Sequence, residues 1–313
     1  MNQQPKKGHQ YILNDLIIEI TMKKLDKILL GHNPLFGVDH LSQANGNAKD
    51  QKFGSENALT DILRYAHSKG VKAMMMSTHP RAQVILDIIE KDSVLKDDFT
   101  VYPLLPYVVK YVRASNEKGM FNVFTDLLGQ AGAGGSLSML MNGLSSLVGG
   151  NLYKTIKILI DLEMLPFKNH KLGAVFMHDG LIDLALGLGC HEAFDVFRDH
   201  IDKKYDVPGG LITKNAPMLV EALDARGWEE YLIMAAFNKT GFYINPTLKA
   251  TEKTLKKPGM NFIPMSTLAA GAIPPKEAFE YIGQFPEINS VVVGMSKKGH
   301  IDQTVDLINQ NIK

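Results

Sequence analysis

Polar side chains with usable chemistry stand directly behind short apolar runs in this sequence. His32 and Asn33 follow Ile28-Leu29-Leu30-Gly31, Ser77 to His79 follow three methionines, and His178-Asp179 follow Val175-Phe176-Met177. Lys214-Asn215 and Asn238-Lys239 close two further runs, with Ser266, Gly294 and Ser296 behind the last two. Asp39, His40, Tyr107 and Lys110 fall near the same ends. Histidine changes charge closest to neutral pH, so His178, His79 and His32 are the candidate acid–base groups, with His178 foremost. Lys214 joins them as a catalytic candidate: a desolvated lysine at a strand end attacks carbonyls, whereas a solvated one anchors anions, and Lys239 has the same two readings. Three histidines with Asp179 suggest a metal, but they come from separate runs without an HxH or HExxH pair, so no metal is expected.

A second kind of chemistry is written into Gly294-Met295-Ser296-Lys297-Lys298. A glycine turn entering a helix presents backbone N–H groups and the positive end of the helix to a phosphate. Lys297, Lys298 and His300 add positive charge there, and a plain surface turn is the competing reading.

These residues need a scaffold that brings strand ends together. Eight strands are expected near Lys27–Leu30, Ala73–Ser77, Thr100–Leu105, Ala174–His178, Gly210–Thr213, Tyr231–Ala236, Asn261–Ser266 and Ser290–Gly294. Amphipathic helices are expected over Ser55–His67, Ala82–Ile89, Ala216–Leu223, Pro275–Ile282 and His300–Ile308. Strands alternating with helices make a parallel sheet. Eight such units without a GxGxxG fingerprint favour an α/β fold of the closed (β/α)8 TIM-barrel type over an open doubly wound sheet. In such a barrel the active site lies at the carboxyl ends of the strands, which is where the polar residues fall.

The expected organisation is a single barrel over residues 25–313, with residues 1–24 as an extension. Tyr11 to Ile20 can form a hairpin plugging the barrel's bottom, or the protein proper begins near Met22. Between strands 3 and 4 a helical insertion is expected over about 116–169. Its glycine-rich centre, Gly129 to Gly135, and the apolar run after it suit a lid over the mouth; a packing helix or a homo-oligomer contact is the alternative.

Composition narrows the partners. The 313 residues carry 34 basic and 33 acidic side chains, and the lysine pairs are short and scattered, so nucleic acid is not expected as a partner. No apolar run is long enough to span a bilayer, and the polar start is unlike a signal peptide. The single cysteine, Cys190, forms no intramolecular disulfide, which fits a reducing cytoplasm. Cys190 lies close to the expected mouth and reads as an inert thiol.

The last third of the chain resembles the aldo-keto reductases. Asn261-Phe262-Ile263-Pro264-Met265-Ser266-Thr267-Leu268-Ala269-Ala270-Gly271 is similar to their seventh-strand segment, and Ile288 to Ile301 to their eighth strand and phosphate-binding turn. Leu211 to Pro217 resembles the end of their fifth strand, and Phe176-Met177-His178-Asp179 that of their fourth. The likeness implies a (β/α)8 barrel binding NADP(H), or another phosphate-bearing ligand, through Asn215, Ser266, Gly294, Ser296, Lys297 and His300. It also implies hydride transfer assisted by a tyrosine, an aspartate, a lysine and a histidine. Only the histidine matches, as His178. Met75 falls at the acidic position, no tyrosine follows it, no lysine ends the third strand, and Met265 replaces the aromatic residue that stacks on nicotinamide. The expectation is a diverged barrel acting on a small anionic organic molecule, with tyrosine-based carbonyl reduction unsupported. An oxidoreductase with a substituted proton donor, a non-redox lyase, aldolase or hydrolase, and a non-catalytic binding protein are the alternatives.

Overall fold

The computed structural model describes residues 25–38, 43–106 and 152–313. Eight parallel strands form the sheet: β1 (Ile28–Gly31), β2 (Ala73–Ser77), β3 (Thr100–Leu105), β4 (Val175–Met177), β5 (Gly209–Thr213), β6 (Tyr231–Ala236), β7 (Met260–Met265) and β8 (Val291–Val293). Each pairs with the next from β1 to β7, and β8 returns to pair with β1, Ile28 opposite Val291. β7 and β8 lie side by side, so the sheet is a nearly closed barrel. A short piece, Lys171–Leu172, pairs with the start of β3 just before β4. The strands fall within a residue or two of the expected positions.

Alternation along the strands divides the core in two. Leu29, Met75, Tyr102, Phe176, Ile212 and Met234 pack together inside the barrel. Their neighbours, such as Leu30, Met74, Val101, Val175 and Leu211, face the helices. That is the two-residue period of a strand whose two faces are both buried, and it explains why these strands read as continuous apolar runs. Glycine makes the inner packing possible at one point: a Cβ on Gly210 would sit 2.3 Å from the Phe176 ring. Tyr102 extends toward the start of β1, where its hydroxyl donates to Asp26 Oδ2 at 2.7 Å and accepts from the Asp26 N–H at 3.0 Å.

The helices are α1 (Gln43–Lys52), α2 (Glu56–Ser68), α3 (Pro80–Lys91), α4 (Leu152–Met164), α5 (Asp179–Leu188), α6 (Glu192–Tyr205), α7 (Ala216–Asp224), α8 (Leu248–Leu255), α9 (Pro275–Ile282) and α10 (Lys298–Asn311). Those expected from the sequence are α2, α3, α7, α9 and α10, each within about three residues. α1, α5, α6 and α8 are additional. α4 and the 3-10 turn Leu165–Phe167 are the described part of the expected insertion, and α4 packs on α6. Its glycine-rich centre, the amino-terminal hairpin, Asp39, His40, Tyr107 and Lys110 lie outside the described residues. No described helix is long and apolar enough to cross a membrane.

Candidate functional site

Three of the polar strand ends begin helices, and their side chains act as caps. His79 Nδ1 accepts from the Arg81 N–H at 3.1 Å and starts α3; His178 Nδ1 accepts from the Gly180 N–H at 3.0 Å and starts α5. Asn215 Oδ1 accepts from the Met218 N–H at 3.2 Å and starts α7. Each satisfies an N–H that a helix terminus leaves unpaired. For Asn215 this capping is the contact observed, alongside the cofactor contact expected from the sequence.

The structure gathers the candidates into three groups. The first is at β1 and β2, where the Phe36 ring lies 4.9 Å from both the His32 and His79 rings, stacked on the latter. His32 Nδ1 is 3.2 Å from the Met75 carbonyl oxygen, so Nδ1 carries a proton. His79 has the opposite tautomer, because its Nδ1 accepts. Burial, helped by the Arg81 charge, lowers the His79 pKa, so this ring is neutral at pH 7. Met75 itself faces the barrel interior.

The second group is at β4 and β5. Asp179 has one oxygen 2.8 Å from His178 Nδ1 and the other 3.3 Å from Lys214 Nζ. Burial alone would raise its pKa; the His178 hydrogen bond and the two positive partners outweigh burial and hold it down to about 2. One turn along α5, Asp183 accepts from Thr213 Oγ1 at 2.6 Å and from the Lys214 N–H at 3.3 Å. Its pKa is raised, chiefly by burial and further by the Asp179 charge. A single His178 Nδ1 serves both Gly180 and Asp179, and these demand different states. A lone pair accepts from the N–H, while a proton donates to the carboxylate, so Nδ1 serves one of the two at a time.

The third group is a pocket of about 270 Å³ over the carboxyl ends of β1, β7 and β8. Asn33, Lys49, Ser266, Thr267, Leu268 and Gly294 are among its walls. Gly294 is required by close packing, since a Cβ there would lie 2.8 Å from Pro34 Cγ. Beyond Gly294, Lys52 Nζ donates to the Ser296 carbonyl at 2.5 Å. α10 then begins at Lys298, and the side chain of Lys297 before it makes no capping hydrogen bond. A Cβ on Gly299, in the first turn, would meet nothing within 4 Å, and Lys297, Lys298, Gly299 and His300 are exposed. Ser266 and Gly294 thus line the pocket, while Ser296, Lys297 and His300 follow along the chain toward the open helix start.

Other candidates fall elsewhere. Lys239 is exposed and ion-paired to Glu277 at 2.9 Å. Asn238 is buried, and its amide holds the following turn through Phe242 and the Ser266 carbonyl. Cys190 sits in the turn after α5, about 15 Å along that helix from His178 rather than at the mouth. Among the described residues no three His, Cys, Asp or Glu side chains converge as a metal would require.

Sequence reasoning missed Asp183, Lys49, Glu163 and Tyr243. Asp183 had a signal, its spacing of four from Asp179, had α5 been recognised. Tyr243, on the mouth side after β6, is half-exposed and has a φ of 60°, an unusual backbone state for a bulky residue. Nothing local marks it.

No family model matches the sequence, and no curated protein matches it. Solved structures do. The chain aligns over 92% of its length with 91% of a Pseudomonas aeruginosa protein assigned as an aldo-keto reductase, at a TM-score of 0.58 and 12% identity. It aligns over 94% with 90% of an aldo-keto reductase from Bacillus halodurans in its holo form, at 0.54 and 9%. An aldo-keto reductase from a Medee basin deep-sea metagenome library gives 0.51 and 12%, covering 93% of this chain and 92% of that one. The fold of this chain is therefore the (β/α)8 barrel that these aldo-keto reductases share.

Proposed function

We propose that this barrel binds a phosphate-bearing organic ligand, NADP(H) being the first class to test, and acts on a small anionic organic molecule at its mouth. The observation that carries the reading is the pocket over β1, β7 and β8, with Lys49, Ser266 and Gly294 in its walls and the uncapped start of α10 beyond it. Lys49 supplies charge, and the first N–H groups of α10, with Lys297 and His300, suit a phosphate. The residues therefore fit the phosphate end of such a ligand. A nicotinamide cofactor would supply hydride transfer.

At the reacting end the chain offers histidines. His32 stands at the carboxyl end of β1 with its Nδ1 on the Met75 carbonyl. His178, backed by Asp179, holds or passes a proton, and Lys214 brings positive charge for an anionic substrate. Tyr102 is not available for the acid role, because its hydroxyl is engaged with Asp26 at the other end of the barrel. A Schiff-base role for Lys239 draws no support from its exposed ion pair.

The test is titration of the purified protein with NADPH and NADH, following nicotinamide fluorescence and heat. Saturable binding that weakens about tenfold or more in Lys49→Ala supports the reading. The absence of binding by either nucleotide at millimolar concentration overturns the nucleotide assignment.

A further inference from the structure

The loop between β6 and α8, residues 237–247, stands at the carboxyl end of β6 and is fixed along its length. Asn238, wholly buried, organises it. Its amide nitrogen donates to the Phe242 and Ser266 carbonyls at 2.9 and 3.2 Å. Its amide oxygen accepts from the Phe242 N–H at 2.9 Å and from the Thr240 hydroxyl at 3.0 Å. Further on, the Asn245 N–H donates to the Lys214 carbonyl at 3.0 Å.

This firmly held loop carries a tyrosine where the backbone disfavours one. Tyr243 has a φ of 60°, a state in which Cβ is crowded and which glycine or asparagine adopts more readily. Its side chain is also 49% exposed, and no other Phe, Tyr or Trp among the described residues is so open. Neither burial nor backbone preference accounts for tyrosine at this position. Disfavoured backbone states of this kind persist where the surroundings enforce them, and they cluster at binding sites.

Tyr243 lies between two of the groups already described. On one side its ring meets Phe242, with centroids 4.2 Å apart. Phe242 packs with Leu268 on Ala269, Ile273 and Ala278, and Leu268 lines the pocket over β1, β7 and β8. On the other side, two residues of chain lead to Asn245 and so to Lys214. The Lys214 side chain is 49% exposed against 19% for its partner Asp179, so a molecule arriving from solvent meets the ammonium first. An ammonium has three N–H donors, and Asp179 does not exhaust them.

We propose that Tyr243 is a specificity-determining residue, the platform for the flat part of the anionic molecule taken up at the mouth. The substrate class is an aryl or conjugated carboxylate, its plane on the Tyr243 ring and its charge at Lys214. A flat face against an open ring gains both apolar burial and stacking, which a puckered ring of equal size does not match. The proposal rests on the reading that the mouth takes up a small anion, and it is independent of nucleotide binding.

The test is calorimetric titration of the full chain, without nucleotide and at constant ionic strength, with benzoate and with cyclohexanecarboxylate. These two probes carry the same charge and differ in planarity. The expected result is saturable binding of benzoate, with cyclohexanecarboxylate at least about threefold weaker. Tyr243→Phe should keep benzoate affinity within about twofold, and Tyr243→Asn should lose about threefold or more and bind both probes alike. Lys214→Met should weaken both by about tenfold. Thermal melts separate this role from a structural one: Tyr243→Asn should melt at or above the wild-type temperature, because asparagine suits the backbone better. Equal binding of the two carboxylates by the wild type leaves the anion reading standing and overturns the platform. Binding of neither overturns both. A preference for benzoate that survives Tyr243→Asn, or a lower melting temperature in that variant, also overturns the proposal.

Discussion

Replacing Asp179 with Asn should make the protein less stable at neutral pH and remove a defined part of its acid sensitivity. In the folded chain the Asp179 pKa is down to about 2, against an ordinary 3.8. At 1.36 kcal/mol per unit, that difference is worth about 2 kcal/mol of folding free energy when both states are ionised. Because the folded pKa is the lower one, the contribution is complete well above 3.8 and is lost as pH falls through about 2. At pH 3 it has already dropped to about half of that by the same linkage. Asp179 is mostly buried, 19% exposed, so this is not a freely solvated ion pair, but Lys214 is about half exposed and its share is screened by salt. Asn preserves the shape and removes the charge. Urea unfolding of both proteins from pH 8 to pH 3 should give curves separated by about 2 kcal/mol at pH 7 and converging toward pH 3. Added salt should narrow the gap. Equal stability at pH 7, or a gap that does not shrink on acidification, would refute the pairing. Asp183→Asn is the internal control with the opposite sign. Its folded pKa is raised, so ionisation costs stability as pH climbs past the ordinary carboxylate value, and the variant should be as stable as the wild type or more so at pH 7.

Other substitutions probe the scaffold. Gly210→Ala places a methyl 2.3 Å from the Phe176 ring and 3.0 Å from Leu232 Cγ inside the barrel, and should cost about 1–3 kcal/mol or block folding. A thermal melt equal to wild type would contradict the inner packing. Asn215→Ala removes the α7 cap and should cost about 1 kcal/mol, whereas Asn215→Ser should recover most of that loss. If Asn215→Ser is as stable as wild type yet binds NADPH more weakly, Asn215 also contacts the ligand as the sequence likeness implies.

The barrel was legible in the sequence because its signals are local and repeated. Short runs such as Ala73–Ser77 and Tyr231–Ala236 are buried on both faces, so they stand out as continuous apolar stretches between helices. Ser55, Pro217 and Pro275 mark helix starts by their own chemistry, through side-chain capping or a fixed φ. α1 escaped notice because it is polar almost throughout, Gln43 to Lys52, and α5 because Asp179-Gly180 reads as a turn. The polar strand ends were equally visible, since the rule that catalytic residues sit at carboxyl ends needs only strand order. Their grouping was not. His32 and His79 meet through Phe36, and Lys214 reaches Asp179, because neighbouring strands place residues far apart in sequence at one level of the barrel. Lys49 enters the pocket wall and Glu163 reaches β2 through excursions of the chain, and no periodicity encodes where an excursion ends. Sequence by itself determined the parallel eight-stranded scaffold and the side chains on its rim, because backbone hydrogen bonding and burial act at short range. Only tertiary structure decided which of them share a pocket, which are spent as helix caps, and which carboxylate is held ionised, because those outcomes depend on distances set by the closure of the whole barrel.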